Sequence, residues 1–282
     1  MDNYRKILVA YDGSPSSRNA LRQAFTLANW IKVVAVIPDY MGDLDLTGIS
    51  NIKEVILGPG QKLLAEAKEI AQAEKMNILT DLEQGEPYER IVQVAAEENC
   101  DLIVMGRRGH SRLERELMGG VTARVIGHTS KDVLVVPENT HFAWGEILLA
   151  TDGSKYSSAA VERALELARQ HSAKLNLISV VDVNDEFSAQ APAAVNELTG
   201  KAHALLEEIK VRADVSGITT RTVVKEGEPH VAITELAAEI GATLIILGSH
   251  GRKGLTRLLM GSVTERVIGF APCPVLISHY QM

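Results

Sequence analysis

The stretch Ala242-Thr243-Leu244-Ile245-Ile246-Leu247, which runs directly into Gly248-Ser249-His250-Gly251, decides the fold of this chain. Its apolar part is typical of a buried strand, and Gly261-Ser262-Val263 follows at the start of a helix predicted over 263–270. A strand that ends in glycines and returns through a glycine to a helix N-terminus offers backbone N–H groups and a positive helix end to an anion. The pattern predicts an α/β fold with a phosphate-binding loop.

The same pattern occurs in the first half of the chain. Gly106-Arg107-Arg108-Gly109 follows the apolar run at 102–105, and Gly119-Gly120-Val121 comes after the same interval, at an offset of 142 residues. Asp12-Gly13-Ser14 recurs as Asp152-Gly153-Ser154 at an offset of 140 residues. A period this long indicates a duplicated domain, because solenoid repeats are only about 20–50 residues long. We predict one domain over 1–138 and another over 145–282, joined by a short connector.

Composition narrows the class of protein. A chain of 282 residues with 46% hydrophobic residues can build two ordinary cores. A formal net charge of −7 and only 4% aromatic residues argue against a nucleic-acid-binding surface, which calls for a basic face and stacking platforms. Cys100 and Cys273 form no metal-binding motif, and no apolar run approaches a membrane span. We therefore expect a cytoplasmic protein with reduced thiols and no membrane partner.

Apolar strands alternate with helical patterns in both halves. In the first half the strands are predicted at 6–11, 33–37, 78–83, 102–105 and 133–136, and in the second at 147–150, 175–181, 219–225, 243–247 and 275–277. This alternation predicts two doubly wound five-stranded parallel sheets, each covered by helices on both faces. Ligands of such sheets bind beyond the carboxyl ends of the strands, at the point where the strand order reverses. The glycine loops and the Asp-Gly-Ser turns both lie at that edge.

The ordered set of motifs resembles the universal stress protein family in its tandem form. The resemblance rests on the first strand with its Asp-Gly-Ser turn, on Gly85-Glu86-Pro87 and Gly227-Glu228-Pro229, and on the G-x2-G-x9-G-[S/T] loops. It covers essentially the whole chain and implies the adenine-nucleotide alpha-hydrolase-like version of the fold. It also implies that the two domains pack as a pseudo-dimer through their fifth strands, and that a further homodimer can form.

What the family implies for individual residues can be stated position by position. Asp12 and Asp152 would lie beside the adenosine, and Val36 and Val180 would face the adenine through their backbone. The glycine loops would hold the ribose and phosphates of ATP, or of AMP or ADP. In the second half these residues are Gly248, Gly251, Gly261, Ser262 and Val263, and in the first half they are Gly106, Gly109, Gly119, Gly120 and Val121.

The two predicted sites differ in one hydroxyl group. Gly120 stands where the family usually has serine or threonine, whereas the second half has Ser262. A hydrogen bond to a charged group is worth about 1.5–3 kcal/mol, or about tenfold or more in affinity. Arg107 and Arg108 could offset that loss through charge-assisted contacts with phosphate. We therefore expect the second site to bind the nucleotide more tightly.

The sequence favours nucleotide binding over catalysis. It contains no Walker lysine motif and no protein-kinase signature set, and no general base is evident beside the glycine loops. Two alternatives stay open: a slow ATPase or phosphotransferase, and a dimerisation scaffold whose first site has decayed. A Mg²⁺ ion would need carboxylate or hydroxyl ligands, for which Asp12, Asp152 and Ser262 are the candidates.

Overall fold

A computed structural model describes residues 4–37, 39, 52–109, 118–250 and 260–279. The chain divides into two compact units, with unit 1 spanning Met1–Asn139 and unit 2 spanning Thr140–Met282. Each unit is a mixed α/β structure with its own parallel sheet. No helix among the described residues is both long enough and apolar enough to cross a membrane.

Unit 1 contains five parallel strands in the order β3-β2-β1-β4-β5. The strands are β1 Lys6–Ala10, β2 Trp30–Ile37, β3 Leu79–Gln84, β4 Leu102–Gly106 and β5 Asp132–Val136. The helices between them are α1 Pro15–Ala24, α2 Ile52–Ala73, α3 Pro87–Glu97 and α4 Gly120–His128. Right-handed crossovers in this order put α1 and α2 on one face of the sheet and α3 and α4 on the other, and the two helices of each pair contact each other.

Unit 2 repeats the same topology, with its strands in the order β10-β9-β6-β7-β8. The strands are β6 Glu146–Ala150, β7 Lys174–Val181, β8 Thr220–Glu226, β9 Leu244–Gly248 and β10 Val275–Ser278. The helices are α5 Lys155–His171, α6 Asp185–Gln190, α7 Pro192–Val215, α8 Pro229–Glu239 and α9 Ser262–Phe270. The prediction of two doubly wound five-stranded units is therefore confirmed.

The core of each unit is the centre of its sheet. Ile7, Leu8 and Val9 of β1 are fully buried, as are Ile147, Leu148 and Leu149 of β6. Strands covered on both faces read as continuous apolar runs, because neither face meets water. This is why the sequence shows unbroken runs here in place of alternation.

Two local predictions were wrong. The first helix was predicted over 15–30, but α1 ends at Ala24, where the Thr26 hydroxyl donates to the Gln23 carbonyl at 2.8 Å. Trp30 instead opens β2, because its backbone pairs with Lys6 of β1. The loop predicted over 182–192 contains α6, which has no buried residue and therefore no apolar period to reveal it. Most of the other loop predicted as a partner site, 38–52, lies outside the described residues.

Candidate functional site

The strand order reverses beside the first strand of each unit. In unit 1, β1 lies between β2 and β4, and in unit 2, β6 lies between β7 and β9. The chain moves from β1 towards β3 and then returns to the opposite side through α3 and β4. The crossovers therefore leave on opposite faces and open a crevice at the carboxyl ends of β1 and β4, and likewise of β6 and β9.

An aspartate turn forms one wall of each crevice. Asp12 follows β1, and its Oδ1 accepts a hydrogen bond from the Ser14 backbone N–H at 3.0 Å. Gly13 has a φ of +75°, which a residue with a side chain rarely adopts. Asp152 makes the same bond with Ser154 at 2.9 Å. These turns fix the direction of each carboxylate at the edge of its sheet.

The serine of each turn also starts the following helix. Ser14 caps α1 by accepting from the Ser17 N–H at 3.2 Å, and Ser154 caps α5 by accepting from the Ser157 N–H at 3.2 Å. Side-chain caps satisfy backbone donors that the helix itself leaves unpaired. The N-termini of α1 and α5 are therefore occupied by the protein's own hydroxyl groups.

The helices that follow the glycine loops begin differently. Gly119 is the N-cap of α4 and Gly261 is the N-cap of α9, and neither can supply a capping side chain. Ser262 and Val263 in the first turn of α9 are exposed, as are Gly120 and Val121 in α4. An uncapped helix start leaves N–H groups and the positive end of the helix dipole available to an external anion.

The structure brings the predicted residues of unit 1 together. A side chain at Gly109 would place its Cβ 2.5 Å from Asp12 Oδ2, so the glycine loop touches the aspartate turn. The Gly119 N–H donates to the Arg107 carbonyl at 3.0 Å, which returns the loop to the start of α4. Asp12, Gly109 and Gly119 therefore surround one crevice.

Two serines of α1 hold the glycine loop of unit 1 and were missed by the sequence reasoning. The Ser14 hydroxyl donates to the Arg108 carbonyl at 3.2 Å, and the Ser16 hydroxyl bonds the same carbonyl. The Arg108 N–H in turn donates to Ser16 Oγ at 3.3 Å. A Cβ at Gly106 would lie 2.7 Å from the Ser17 nitrogen, so glycine is needed there for packing against α1.

Unit 2 reaches the same backbone arrangement with different side chains. A Cβ at Gly248 would lie 2.5 Å from the Tyr156 carbonyl oxygen. The Gly261 N–H donates to the Ser249 carbonyl at 3.0 Å, as Gly119 does in unit 1. Gly251 and the residues at 252–259 lie outside the described residues. Of the predicted residues in the loop of unit 2, Gly248, Gly261, Ser262 and Val263 are described.

A buried threonine ties the start of each site helix to the end of the preceding strand. Thr122 Oγ1 donates to the Gly106 carbonyl at 3.1 Å, and Thr264 Oγ1 donates to the Gly248 carbonyl at 3.0 Å. Sequence reasoning missed both residues. Their signal is present in the repeat, because Val-Thr follows the loop in both halves at the same offset of 142 residues.

The predicted adenine-facing residues lie at the same edge. The Tyr11 N–H donates to the Val34 carbonyl at 2.9 Å, which places Val36 beside the aspartate turn of unit 1. The Thr151 N–H donates to the Ile178 carbonyl at 3.0 Å, with Val180 in the matching position. The side chains of Val36 and Val180 are partly exposed, unlike most of their strands.

The loops differ in charge. Unit 1 carries Arg107, which is partly buried, and Arg108, which is exposed. Burial and the neighbouring Arg108 guanidinium lower the pKa of Arg107, but an arginine still remains protonated at neutral pH. The equivalent residues in unit 2 are Ser249, which is buried, and His250, whose Nδ1 lies 3.1 Å from Ser249 Oγ.

An aromatic pair borders the loop of unit 2. The rings of Tyr156 and His250 lie 5.4 Å apart, and the Lys155 ammonium lies 5.1 Å from the Tyr156 ring centre. In unit 1 the residue equivalent to Tyr156 is Ser16, and Pro15 takes the place of Lys155. The cation of unit 2 is therefore carried by the helix after β6, whereas the cations of unit 1 are carried by the glycine loop.

Tyr11 adds a second difference at the end of the first strand. Its side chain is 3% exposed, and burial, followed by the nearby Glu66 carboxylate, raises its pKa well above the usual value. Arg18 and Glu66 form an ion pair beside it, which lowers the pKa of Glu66. Thr151 takes this place in unit 2 and donates to Ser157 Oγ at 3.0 Å. Tyr11 therefore stays neutral and acts as packing beneath the aspartate turn.

The described residues offer few ligands to a metal ion. Within them, no group of three or more His, Cys, Asp or Glu side chains is arranged to hold a metal. The oxygen donors at the described part of the sites are Asp12, Asp152 and Ser262. Mg²⁺ is usually held by one or two carboxylates together with substrate phosphates and water, so this donor set fits an ion that arrives with a nucleotide.

Comparison with known proteins identifies the chain's relatives. The sequence model of the universal stress protein family matches residues 3–137 and 144–279. Universal stress protein MJ0531 of Methanocaldococcus jannaschii is 37% identical over 136 residues, which are 47% of this chain and 80% of the relative. A universal stress protein of Mycolicibacterium smegmatis is 26% identical over 288 residues, covering 96% of both chains. The crystal structure of a universal stress protein from Archaeoglobus fulgidus shares the fold, with a TM-score of 0.72 at 24% identity over 97% of this chain and 96% of the other.

Proposed function

The chain belongs to the universal stress protein family, and we propose that it is a cytoplasmic stress-response regulator that binds an adenine nucleotide, ATP, in both units. One observation carries the proposal. The helices α4 and α9 begin with an uncapped glycine at the point where the strand order reverses. Such a helix start favours phosphate, and in unit 1 the glycine loop before it touches Asp12, which can accept from a ribose hydroxyl.

Each residue of the unit 2 site has a proposed role. The Ser262 hydroxyl and the Val263 N–H bind a phosphate, Asp152 accepts from the ribose, and the backbone at Val180 faces the adenine. Gly248 and Gly261 allow the loop backbone to approach the ligand. In unit 1, Arg107 and Arg108 supply charge where Gly120 has no hydroxyl.

We propose binding without efficient turnover. Efficient hydrolysis needs a base or a water-positioning residue next to the γ-phosphate. Asp12 and Asp152 are the described carboxylates at the sites, and each is held by a backbone N–H of its own turn. This geometry suits an acceptor for a ligand hydroxyl. A slow ATPase remains the second candidate, and release of ADP from a protein loaded with ATP would reveal it.

The experiment that tests the proposal combines nucleotide analysis with one substitution. Heat denaturation of the purified protein, followed by chromatography, identifies any nucleotide that it carries. Gly261→Val should then remove ATP binding from unit 2, so that the stoichiometry in calorimetry falls from two to one. The φ of Gly261 is −64°, so its backbone accepts a side chain and the fold should survive. The added methyl groups occupy the space that the phosphate needs.

A matched control separates loss of binding from loss of structure. Gly200→Val makes the same change in α7, where an added Cβ meets no atom within 4 Å, and it should leave both sites intact. Unchanged stoichiometry in Gly261→Val would show that the phosphate site is wrongly placed. Absence of nucleotide binding in the parent protein would favour the dimerisation scaffold.

A further inference from the structure

Unit 2 contains a cavity at the edge of its sheet opposite the glycine loop. It has a volume of about 370 Å³ and lies at the amino-terminal ends of β6, β7 and β8, beside the end of α8. Its lining includes a buried amide, two carboxylates, two cations and a helix end: Asn176, Glu146, Glu239, Lys174, Arg221 and Ile240. The proposed nucleotide site uses none of these residues.

Asn176 presents an unused acceptor to this cavity. Its residue is 6% exposed, and its Nδ2 donates to Glu146 Oε2 at 3.1 Å and to the Ile147 carbonyl at 3.5 Å. Both partners can only accept, so the amide orientation is fixed and Oδ1 points away from them. Among the described residues nothing donates to Asn176 Oδ1. A buried acceptor without a donor is unfavourable, and a ligand donor in the cavity would satisfy it.

Unit 1 shows which chemical group fits this place. Lys32 of β2 pairs with Leu8 of β1, just as Asn176 of β7 pairs with Leu148 of β6. The Lys32 side chain is 14% exposed, and its ammonium forms ion pairs with Glu98 and, at 3.5 Å, with Asp81. The hydrogen bond with Glu98 raises the pKa of Lys32 despite the opposing effect of burial. In unit 1, therefore, the chain itself places an ammonium group at this edge.

A second ammonium reaches the same helix end in unit 1. Lys6 Nζ donates to the Glu98 backbone carbonyl, at the C-terminus of α3, at 3.1 Å. In unit 2 the residue equivalent to Lys6 is Glu146, and Ile240 takes the place of Glu98. Within the described part of the chain, no side chain donates to the Ile240 carbonyl. The negative end of the α8 dipole therefore faces the cavity without the cation that α3 receives.

We propose that this cavity of unit 2 is a second small-molecule site, specific for a primary alkylammonium group. The ammonium would donate to Asn176 Oδ1 and to the C-terminal carbonyl of α8, with the Glu239 carboxylate nearby. Lys174 is bound to Glu146 at 2.8 Å and is 67% exposed, and Arg221 lies 4.0 Å from Glu239 and is 60% exposed. These cations belong to the rim, so the floor of the cavity is made of acceptors and selects a cationic donor.

The experiment uses n-butylammonium chloride as the probe and the whole protein as the receptor. Calorimetry at constant ionic strength should give a dissociation constant of about a millimolar, as expected for a ligand of so few atoms. Tetramethylammonium has the same charge but no N–H donor, and it should bind at least about tenfold more weakly. Binding should be unaffected by Gly261→Val, because the nucleotide site lies at the other edge of the sheet.

Asn176→Lys is the decisive variant. It gives unit 2 the ammonium that Lys32 gives unit 1, so it should fill the cavity and raise the dissociation constant for n-butylammonium at least about tenfold. Asn196→Lys on the exposed face of α7 makes the same change in charge and should leave binding intact. A parent protein that does not bind n-butylammonium overturns the proposal. So does equal binding of tetramethylammonium, or equal weakening by the two variants, since either result would indicate non-specific attraction to an acidic protein.

Discussion

The glycine loops of the two units have the same backbone and opposite electrostatic character. Unit 1 places Arg107 and Arg108 between its loop glycines, whereas unit 2 places Ser249 and His250 there. In both, the N–H of the helix-capping glycine bonds the carbonyl of the first of these residues. The comparison shows that the fold supplies an anion site through its backbone alone, and that the side chains then set how much charge the site expects.

The second hydroxyl difference acts in the opposite direction. Ser262 in unit 2 can add a hydroxyl donor at the start of α9, and Gly120 in unit 1 cannot. Each unit therefore lacks one type of phosphate contact and carries another. Whether the two sites differ in affinity depends on whether two arginines outweigh one hydroxyl, and the substitutions below separate the two effects.

The largest effect is expected from the arginines. Exchange of Arg107→Ser with Arg108→His gives unit 1 the loop residues of unit 2 and removes two positive charges. We expect ATP binding at unit 1 to weaken at least about tenfold, because a hydrogen bond to a charged group is worth about 1.5–3 kcal/mol. Calorimetry in a Gly261→Val background reports on unit 1 alone.

Salt dependence provides the control for this prediction. Contacts between charges are screened by added salt, so the parent unit 1 site should weaken more between low and high salt than the exchanged one. Removing Arg163 and Arg212 from α5 and α7 makes the same change in net charge at exposed positions. That control should keep the parent affinity. An equal loss of affinity in both would mean that the arginines act through the overall charge of the protein.

A smaller effect is expected from the hydroxyl. Ser262→Gly should weaken ATP binding at unit 2 about tenfold, through loss of one charge-assisted hydrogen bond. Gly120→Ser should strengthen unit 1, and the structure permits the change. A Cβ at Gly120 meets no atom within 4 Å, and its φ is not among the positive ones. Unchanged affinity in Ser262→Gly would leave the arginines as the feature that distinguishes the two sites.

The sequence allowed the strands and the strand-end motifs to be predicted, because these depend on local pattern. Buried strands read as apolar runs, and the repeat placed each motif after the same strand twice. Contacts between distant segments are different. The bond from Ser16 to the Arg108 carbonyl joins residues 92 positions apart, and no local period marks it. The same is true of the contact between Gly109 and Asp12.

The cavity of unit 2 escaped the sequence for a related reason. Lys32 and Asn176 occupy the same place in their sheets, but they are 144 residues apart, whereas the glycine loops repeat at 142 and the aspartate turns at 140. The offset changes with loop length, so a comparison of sequences at one period does not align them. Strand register aligns them, and only then does the loss of an ammonium group in unit 2 become visible.

The smallest effect concerns that ammonium group. Lys32→Asn gives unit 1 the side chain of unit 2 and removes a partly buried ion pair, so we expect the melting temperature at neutral pH to fall by about 1–3 °C. The hydrogen bond with Lys32 lowers the pKa of Glu98. Its stabilisation is therefore present above the unfolded glutamate pKa of about 4.3 and is lost as the pH falls through the folded value.

The lysine sets the other limit of the same pH window. Because the pKa of Lys32 is raised, its contribution is present below the unfolded lysine pKa of about 10.4 and is lost as the pH rises through the folded value. The difference in stability between parent and variant should therefore form a plateau at neutral pH and shrink on both sides. Lys68→Asn, at an exposed position of α2, is the matched control and should show no such plateau. A constant difference at every pH would mean that Lys32 stabilises unit 1 by packing of its aliphatic chain, and the comparison with Asn176 would then concern volume, not charge.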